Sequence, residues 1–273
     1  MRVLLASPLG FLIGVTLGAV GGGGSILAVP MLVYAAGLAP KRATTASLMI
    51  VGATALVGLP VQLKAHRVKV VAGAVFALTG VAGSFVGTHV NQGIDPNVLL
   101  LAFSGLMAVA AVAMVMRQRK VLRTTELLDE QPAADAVGAV AVHARIDAAT
   151  VLKVVAAGTV VGFLTGMFGV GGGFVIVPAL VLALGYDMPT AAGTSLLVIS
   201  MNSAIALAQR YNGDPLPWNA IIEFGIMAVP GVIFGTWLAR RVEPFRLTQA
   251  FVALLVVVAT YTAIRSGIAL ATG

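Results

Sequence analysis

Ten apolar runs dominate this chain, at 3–20, 26–38, 43–63, 70–90, 98–116, 150–168, 174–186, 190–209, 218–239 and 247–264. Most approach the roughly 20 residues an α-helix needs to cross a bilayer. Backbone in hydrocarbon must satisfy its polar groups internally, so long apolar runs in series favour helices. Composition agrees: 59% of the 273 residues are hydrophobic and 10% are charged, against about 25% charged in an ordinary soluble domain. The sequence therefore predicts an all-α polytopic membrane protein and argues against a soluble enzyme or a disordered chain. The net charge of +7 does not indicate a nucleic-acid partner, because Lys and Arg fall in short clusters between apolar runs, where they report orientation. Cysteine is absent, which excludes disulfides, thiolate metal sites and cysteine nucleophiles.

Met1-Arg2 before an apolar stretch has the start of a signal peptide, but no A-x-A-like cleavage site closes it. The stretch runs instead into Gly21-Gly22-Gly23-Gly24, and it is expected to be part of the fold. The second and seventh runs are too short to span. Each lies between a glycine-rich break and a polar turn, and each holds a proline, Pro30 or Pro178. Such segments are typical of broken or re-entrant helices.

Arg117 to Ala149 is the only clearly hydrophilic stretch, and it divides the chain into a transmembrane repeat at 1–116, a linker at 117–149 and a second repeat at 150–273. A shift of 148 superimposes the repeats without a gap from Gly18 on Gly166 through Val29-Pro30 on Val177-Pro178 to Ser47-Leu48 on Ser195-Leu196. Gly87-Thr88 then falls on Gly235-Thr236, and Pro96 on Pro244. Apolar composition alone does not align glycines, prolines and polar residues in one register.

Charge predicts that the pseudo-symmetric repeats are inverted. Lys64, Arg67 and Lys69 follow the third run, whereas the equivalent stretch from Asn212 to Pro217 has no Lys or Arg. The bias reverses after the fourth run, where Asn91 to Asn97 has none and its counterpart carries Arg240, Arg241 and Arg246. Lys and Arg mark the cytoplasmic side. Either five spans per repeat or a re-entrant hairpin plus three spans satisfies this, with the N-terminus outside and the 117–149 linker cytoplasmic.

The two glycine-rich breaks carry the site expectation. Glycine allows tight turns and close approach, and the N-terminus of the short helix that follows offers free N–H groups and a positive dipole end to an anion. Paired breaks at matching positions are the best pointer to a transport site; the alternative is that these glycines only permit close helix packing. The candidate residues are Gly22, Gly23, Gly24 and Ser25 in the first break and Gly171, Gly172, Gly173 and Phe174 in the second. Ser47, Thr194, Ser195 and Asn202, inside the third and eighth runs, add hydroxyls and an amide that donate to an anion without the desolvation cost of a buried charge; capping is their alternative use. Glu223, the one acid inside an apolar run, is a candidate for binding a coupling proton or for an interfacial position. Lys64 and Arg210 end the third and eighth runs, either drawing anions to the mouths of a pathway or snorkelling as orientation markers. No nucleotide-binding loop, catalytic motif or clustered carboxylates appear, so no enzyme activity, cofactor or metal is expected.

With these motifs in place, the chain resembles the TauE/SafE family of sulfite and organosulfonate exporters, also called the TSUP family. The resemblance rests on Gly-Val-Gly-Gly-Gly-Phe-Val-Ile-Val-Pro at 169–178, its degenerate copy from Gly21 to Pro30, and Gly-Thr-Ser-Leu at 193–196. It implies an inner-membrane secondary transporter of small sulfur-containing anions, working without ATP. Where the second copy reads Gly193-Thr194-Ser195, the first reads Thr45-Ala46-Ser47, so the two halves are not equal as binding surfaces. Two rival readings are a proton- or cation-coupled carrier of another solute, with Glu223 neutralising the ion, and a non-transporting membrane subunit.

Overall fold

The computed structural model describes residues 2–34, 36–91, 96–129, 148–168, 173–210 and 216–272. Among these every regular element is a helix: α1 (Arg2–Val20), α2 (Gly23–Tyr34), α3 (Pro40–Lys64), α4 (Val70–Asn91), α5 (Pro96–Asp129), α6 (Ala148–Phe168), α7 (Gly173–Leu182), α8 (Met188–Arg210), α9 (Trp218–Arg241) and α10 (Pro244–Thr272). Each apolar run became one helix. Seven helices among the described residues, α3 to α6 and α8 to α10, are long and apolar enough to cross a membrane, while α2 and α7 are short.

Helix starts repeat at the 148 shift: Pro40 and Met188, Val70 and Trp218, Pro96 and Pro244. So do details of the ends. Gly37 and Gly185, 148 apart, take φ of +68° and +75°. Beside them, the N–H groups of Leu38 and Tyr186 donate to Leu32 and Leu180 at 3.1 and 3.2 Å.

The sequence boundary at 117 marks where charge begins, and the helix does not stop there. Arg117 to Asp129 continue α5, because Arg, Gln, Lys, Leu and Glu are good helix formers and no Gly or Pro interrupts them. Charged residues end a hydrophobic span without ending its helix.

Packing is swapped between halves, with α1 against α9 and α4 against α6. Both pairs use one ladder. Cβ atoms added at Gly10, Gly14 and Gly18 would meet the backbones of Phe224, Ala228 and Val232, and those at Gly158, Gly162 and Gly166 would meet Phe76, Gly80 and Ser84. The second ladder is the first shifted by 148, and in each the partners ascend together, so the paired helices run parallel. This is the small-residue packing that lets helices approach where hydrocarbon supplies no hydrophobic drive.

At the centre α3 crosses α8, with Gly52 against Ser203 and Gly58 against Leu196. Here one number rises as the other falls, so these two equivalent helices run in opposite directions. Buried residues such as Ile50, Phe76, Met107, Ile176, Leu196 and Phe251 form the continuous core. Large apolar side chains such as Leu78, Val109, Leu152, Val257 and Ile264 are exposed on the outer helices, the inside-out distribution that suits lipid as solvent.

Candidate functional site

The buried centre starts from the turn between α1 and α2. Gly21 leaves α1 with φ of +77° while its N–H donates to Leu17 O at 2.8 Å, a left-handed cap that other residues adopt only at a cost of about 1–2 kcal/mol. A Cβ there would collide with Ser195 Oγ and lie 2.8 Å from Ala192 Cα, so the turn lies flat on α8. The chain then reverses into α2.

The glycines that follow are not equivalent. A Cβ at Gly22 would strike the carbonyl of Gly173, on the opposite hairpin, and Gly173 itself rests on the Ser25 side chain. Gly24 packs on its own α1, at Leu17 and at 2.6 Å from Ile13 O. Gly23 has the most room, its nearest neighbour being Leu254 Cδ2 at 3.1 Å. The tips of the two hairpins, α1–α2 and α6–α7, therefore touch through backbone at Gly22 and Gly173.

Ser25 and Ser195 are buried, and their hydroxyls donate within their own turns, to Gly22 O at 2.7 Å and Ala192 O at 2.8 Å. The donors left to the centre are the first-turn N–H groups of α2 and α7, which have no partner within their helices. Two helix N-termini that meet bring together partial positive charges of about half an elementary charge each. The arrangement suits an anion. Phe174 turns its ring away into an aromatic cluster, edge-on to Phe103 at 4.7 Å, with Phe103 in turn 5.4 Å from Phe168. Its ring anchors the tip, and its backbone N–H is the part that faces a ligand in the anion reading.

The other sequence candidates are dispersed. Ser47 is buried on α3, at the register Ser195 holds on α8. Thr194 is fully buried, and its hydroxyl accepts the Lys69 N–H at 3.1 Å, which joins α8 to the loop after α3. Asn202 lies farther along α8, on a small cavity with Ser84 and Thr165. Glu223 is half-buried in the first two turns of α9, Lys64 is exposed at the end of α3, and Arg210 ends α8. Gly171 and Gly172 lie outside the described residues. The structure thus gathers Gly22 to Ser25, Gly173, Phe174 and Ser195, and leaves Thr194, Asn202, Glu223 and Lys64 elsewhere. The described residues contain no cluster of three His, Cys, Asp or Glu that could hold a metal.

Two residues escaped the sequence reading. Gln62 is 1% exposed, and its Oε1 has no hydrogen-bond partner. It sits one turn beyond Gly58, whose neighbours are Leu196 and Val232; an amide inside the third apolar run was the available signal. Arg117 donates to Val181 O and, at 3.2 Å, to Tyr186 O, pinning the C-terminal end of α7. Burial pushes the Tyr186 phenol up from its ordinary value. The signal for Arg117 was its repeat partner, Arg265.

Fold and centre together define a multi-pass α-helical membrane protein built from two equivalent halves whose short-helix hairpins meet tip to tip. The family model described as sulfite exporter TauE/SafE matches residues 6–262. The chain belongs to that family. It is 34% identical over 264 residues to a probable membrane transporter protein of Xylella fastidiosa strain 9a5c, covering 94% of this chain and 93% of the relative. It is 23% identical over 274 residues to the probable membrane transporter protein YunE of Bacillus subtilis strain 168, with 94% of each chain covered. No solved structure matches it.

Proposed function

We propose that this chain is a secondary transporter that exports small sulfur-containing anions, such as sulfite or organosulfonates, across the inner membrane by alternating access. One observation carries the reading: the N-termini of α2 and α7 meet, buried, with Gly22 and Gly173 in backbone contact. An anion between them accepts N–H groups from both helices and neutralises two dipole ends at once. Gly22 to Ser25, with Gly173 and Phe174, supply that cradle, and Ser195 lies beside it. The family description names sulfite export, and the relatives' names support transport rather than catalysis.

In this reading the halves are inverted about an axis in the membrane plane. The opposite courses of α3 and α8 support it, as does the gathering of cations at one end. There the Arg67 guanidinium reaches Ala239 O at 3.5 Å, Arg117 meets the loop before α8, and Gln118 Nε2 donates to Phe245 O at 3.1 Å. Arg240, Arg241 and Arg246 lie on the same end. The cationic end, with the 117–149 linker, faces the cytoplasm, and the N-terminus lies outside. Each hairpin leans on the other half, as Gly21 does on Ser195, so rocking one half parts the tips and opens the anion to one side.

Proteoliposomes loaded with radiolabelled sulfite test the function. Release is expected to exceed that of protein-free vesicles, to saturate, and to be slowed by sulfoacetate but not by chloride. Release no faster than from protein-free vesicles removes sulfite as the cargo.

A further inference from the structure

A second polar site lies between α4, α6 and α8. It is a cavity of about 30 Å³ whose lining includes Gly80, Ser84, Gly162, Thr165 and Asn202. That is room for one or two water-sized species. Asn202 Oδ1 is buried there without a hydrogen-bond partner, and a buried unpaired acceptor is costly unless something occupies the site. Thr165 Oγ1 gives its proton to Val161 O at 2.7 Å, which leaves its lone pairs free. Ser84 supplies a third side-chain oxygen.

The repeat provides an internal comparison. Shifted by 148, Ser84, Thr165 and Asn202 correspond to Val232, Leu17 and Thr54, and the Thr54 hydroxyl donates to Ile50 O. The same glycine ladder packs both crossings, with Gly162 on Gly80 in one and Gly14 on Ala228 in the other. Packing therefore does not demand polar residues at this crossing, yet one crossing carries three and its symmetry-related copy carries one.

We infer that this cavity binds a sodium ion that is coupled to the anion. Neutral oxygen ligands, a water-sized volume and an orphaned carbonyl oxygen suit a small hard cation. No carboxylate is among the lining residues, so the compensating charge must come from elsewhere. Thr165 lies three residues, about 5 Å of helix rise, before the end of α6. On the anion reading, the negative charge held at the tips offsets part of the cation's desolvation, and the cation part of the anion's. Each ion then raises the affinity of the other by the same factor. The coupling rests on the anion reading, whereas the cation site rests on the cavity alone.

The test is the melting temperature of the purified protein in sodium chloride against choline chloride at equal ionic strength, with no oxyanion added. Sodium is expected to raise it saturably. Asn202→Ala is expected to abolish the rise, and Thr165→Val, which keeps the shape and removes the oxygen, to weaken the sodium dependence at least tenfold. Thr54→Ala, at the equivalent place in the other half, is expected to keep it. Identical melting in the two salts, the result of a cavity holding only water, overturns the assignment, as does a full sodium rise in both cavity variants. A sodium rise in protein that moves no sulfite leaves the cation site standing and removes the anion reading instead.

Discussion

Gly22→Ala is expected to cost sulfite affinity and flux about 10- to 100-fold, while Gly23→Ala beside it changes either by less than about threefold. The added methyl is the same; its surroundings differ. At Gly22 it meets the carbonyl of Gly173, which belongs to another hairpin's backbone and yields only if the tips separate. At Gly23 it meets the end of the Leu254 side chain at 3.1 Å, which can rotate aside. Parting the tips withdraws one helix's N–H groups from the anion, and hydrogen bonds to a charged group are each worth about 1.5–3 kcal/mol. At about 1.4 kcal/mol per factor of ten, losing one accounts for the expected change. Binding of radiolabelled sulfite to the purified variants, alongside flux, checks it. Equal affinities for the two variants would mean that the contact between tips does not shape the site.

Gly162→Ala is expected to destabilise the fold by at least about 1–3 kcal/mol, the usual cost of forcing a methyl into a packed interface. The methyl would collide with the backbone of Gly80, so α4 and α6 must move apart along a ladder that also includes Gly83 and Gly87, where Cβ atoms would meet the backbones of Thr159 and Phe163. Gly105→Ala is the control. Nothing lies within 4 Å of a Cβ at that position of α5, and replacing a helical glycine with alanine favours the helix by up to about 1 kcal/mol. Melting temperatures of the two variants should move in opposite directions. A Gly162→Ala protein as stable as the wild type would mean the interface is looser than its contacts imply.

Much of the architecture was legible because hydrocarbon enforces a simple code. Each apolar run became a helix, and the 148 shift that aligned Val29-Pro30 with Val177-Pro178 also aligned helix starts, positive-φ glycines and packing ladders. The end of the first repeat was harder to read, since Arg117 leaves the hydrophobic span without leaving the helix.

The site was legible in its backbone and less so in its side chains. Glycine runs announce a turn wherever they fall, so Gly21 to Gly24 identified one tip. A Thr or Ser in an apolar helix can face any of several neighbours, and its direction depends on helix rotation that one sequence does not specify. Thr194 and Ser195 are adjacent in sequence yet serve different contacts, one receiving the Lys69 N–H and the other lying against Gly21. Asn202 follows Ser195 by two turns along α8, enough to place it against α4 and α6 instead of the tips. Arg117 gained its meaning from partners more than sixty residues away, the carbonyls of Val181 and Tyr186.

The central claim is that the meeting N-termini of α2 and α7 hold a sulfur-containing anion, and ligand-dependent melting of the solubilised protein tests it most directly. Sulfite, sulfoacetate, sulfate, thiosulfate, taurine and chloride would be compared on the wild type and on Gly22→Ala. A ligand at 100 times its dissociation constant stabilises the fold by about 2.7 kcal/mol, enough to resolve. The expected result is a selective, saturable rise with at least one sulfur anion in the wild type and a rise of about half that or less in Gly22→Ala at the same concentration. No rise with any of them across pH, or an undiminished rise in Gly22→Ala, would contradict it.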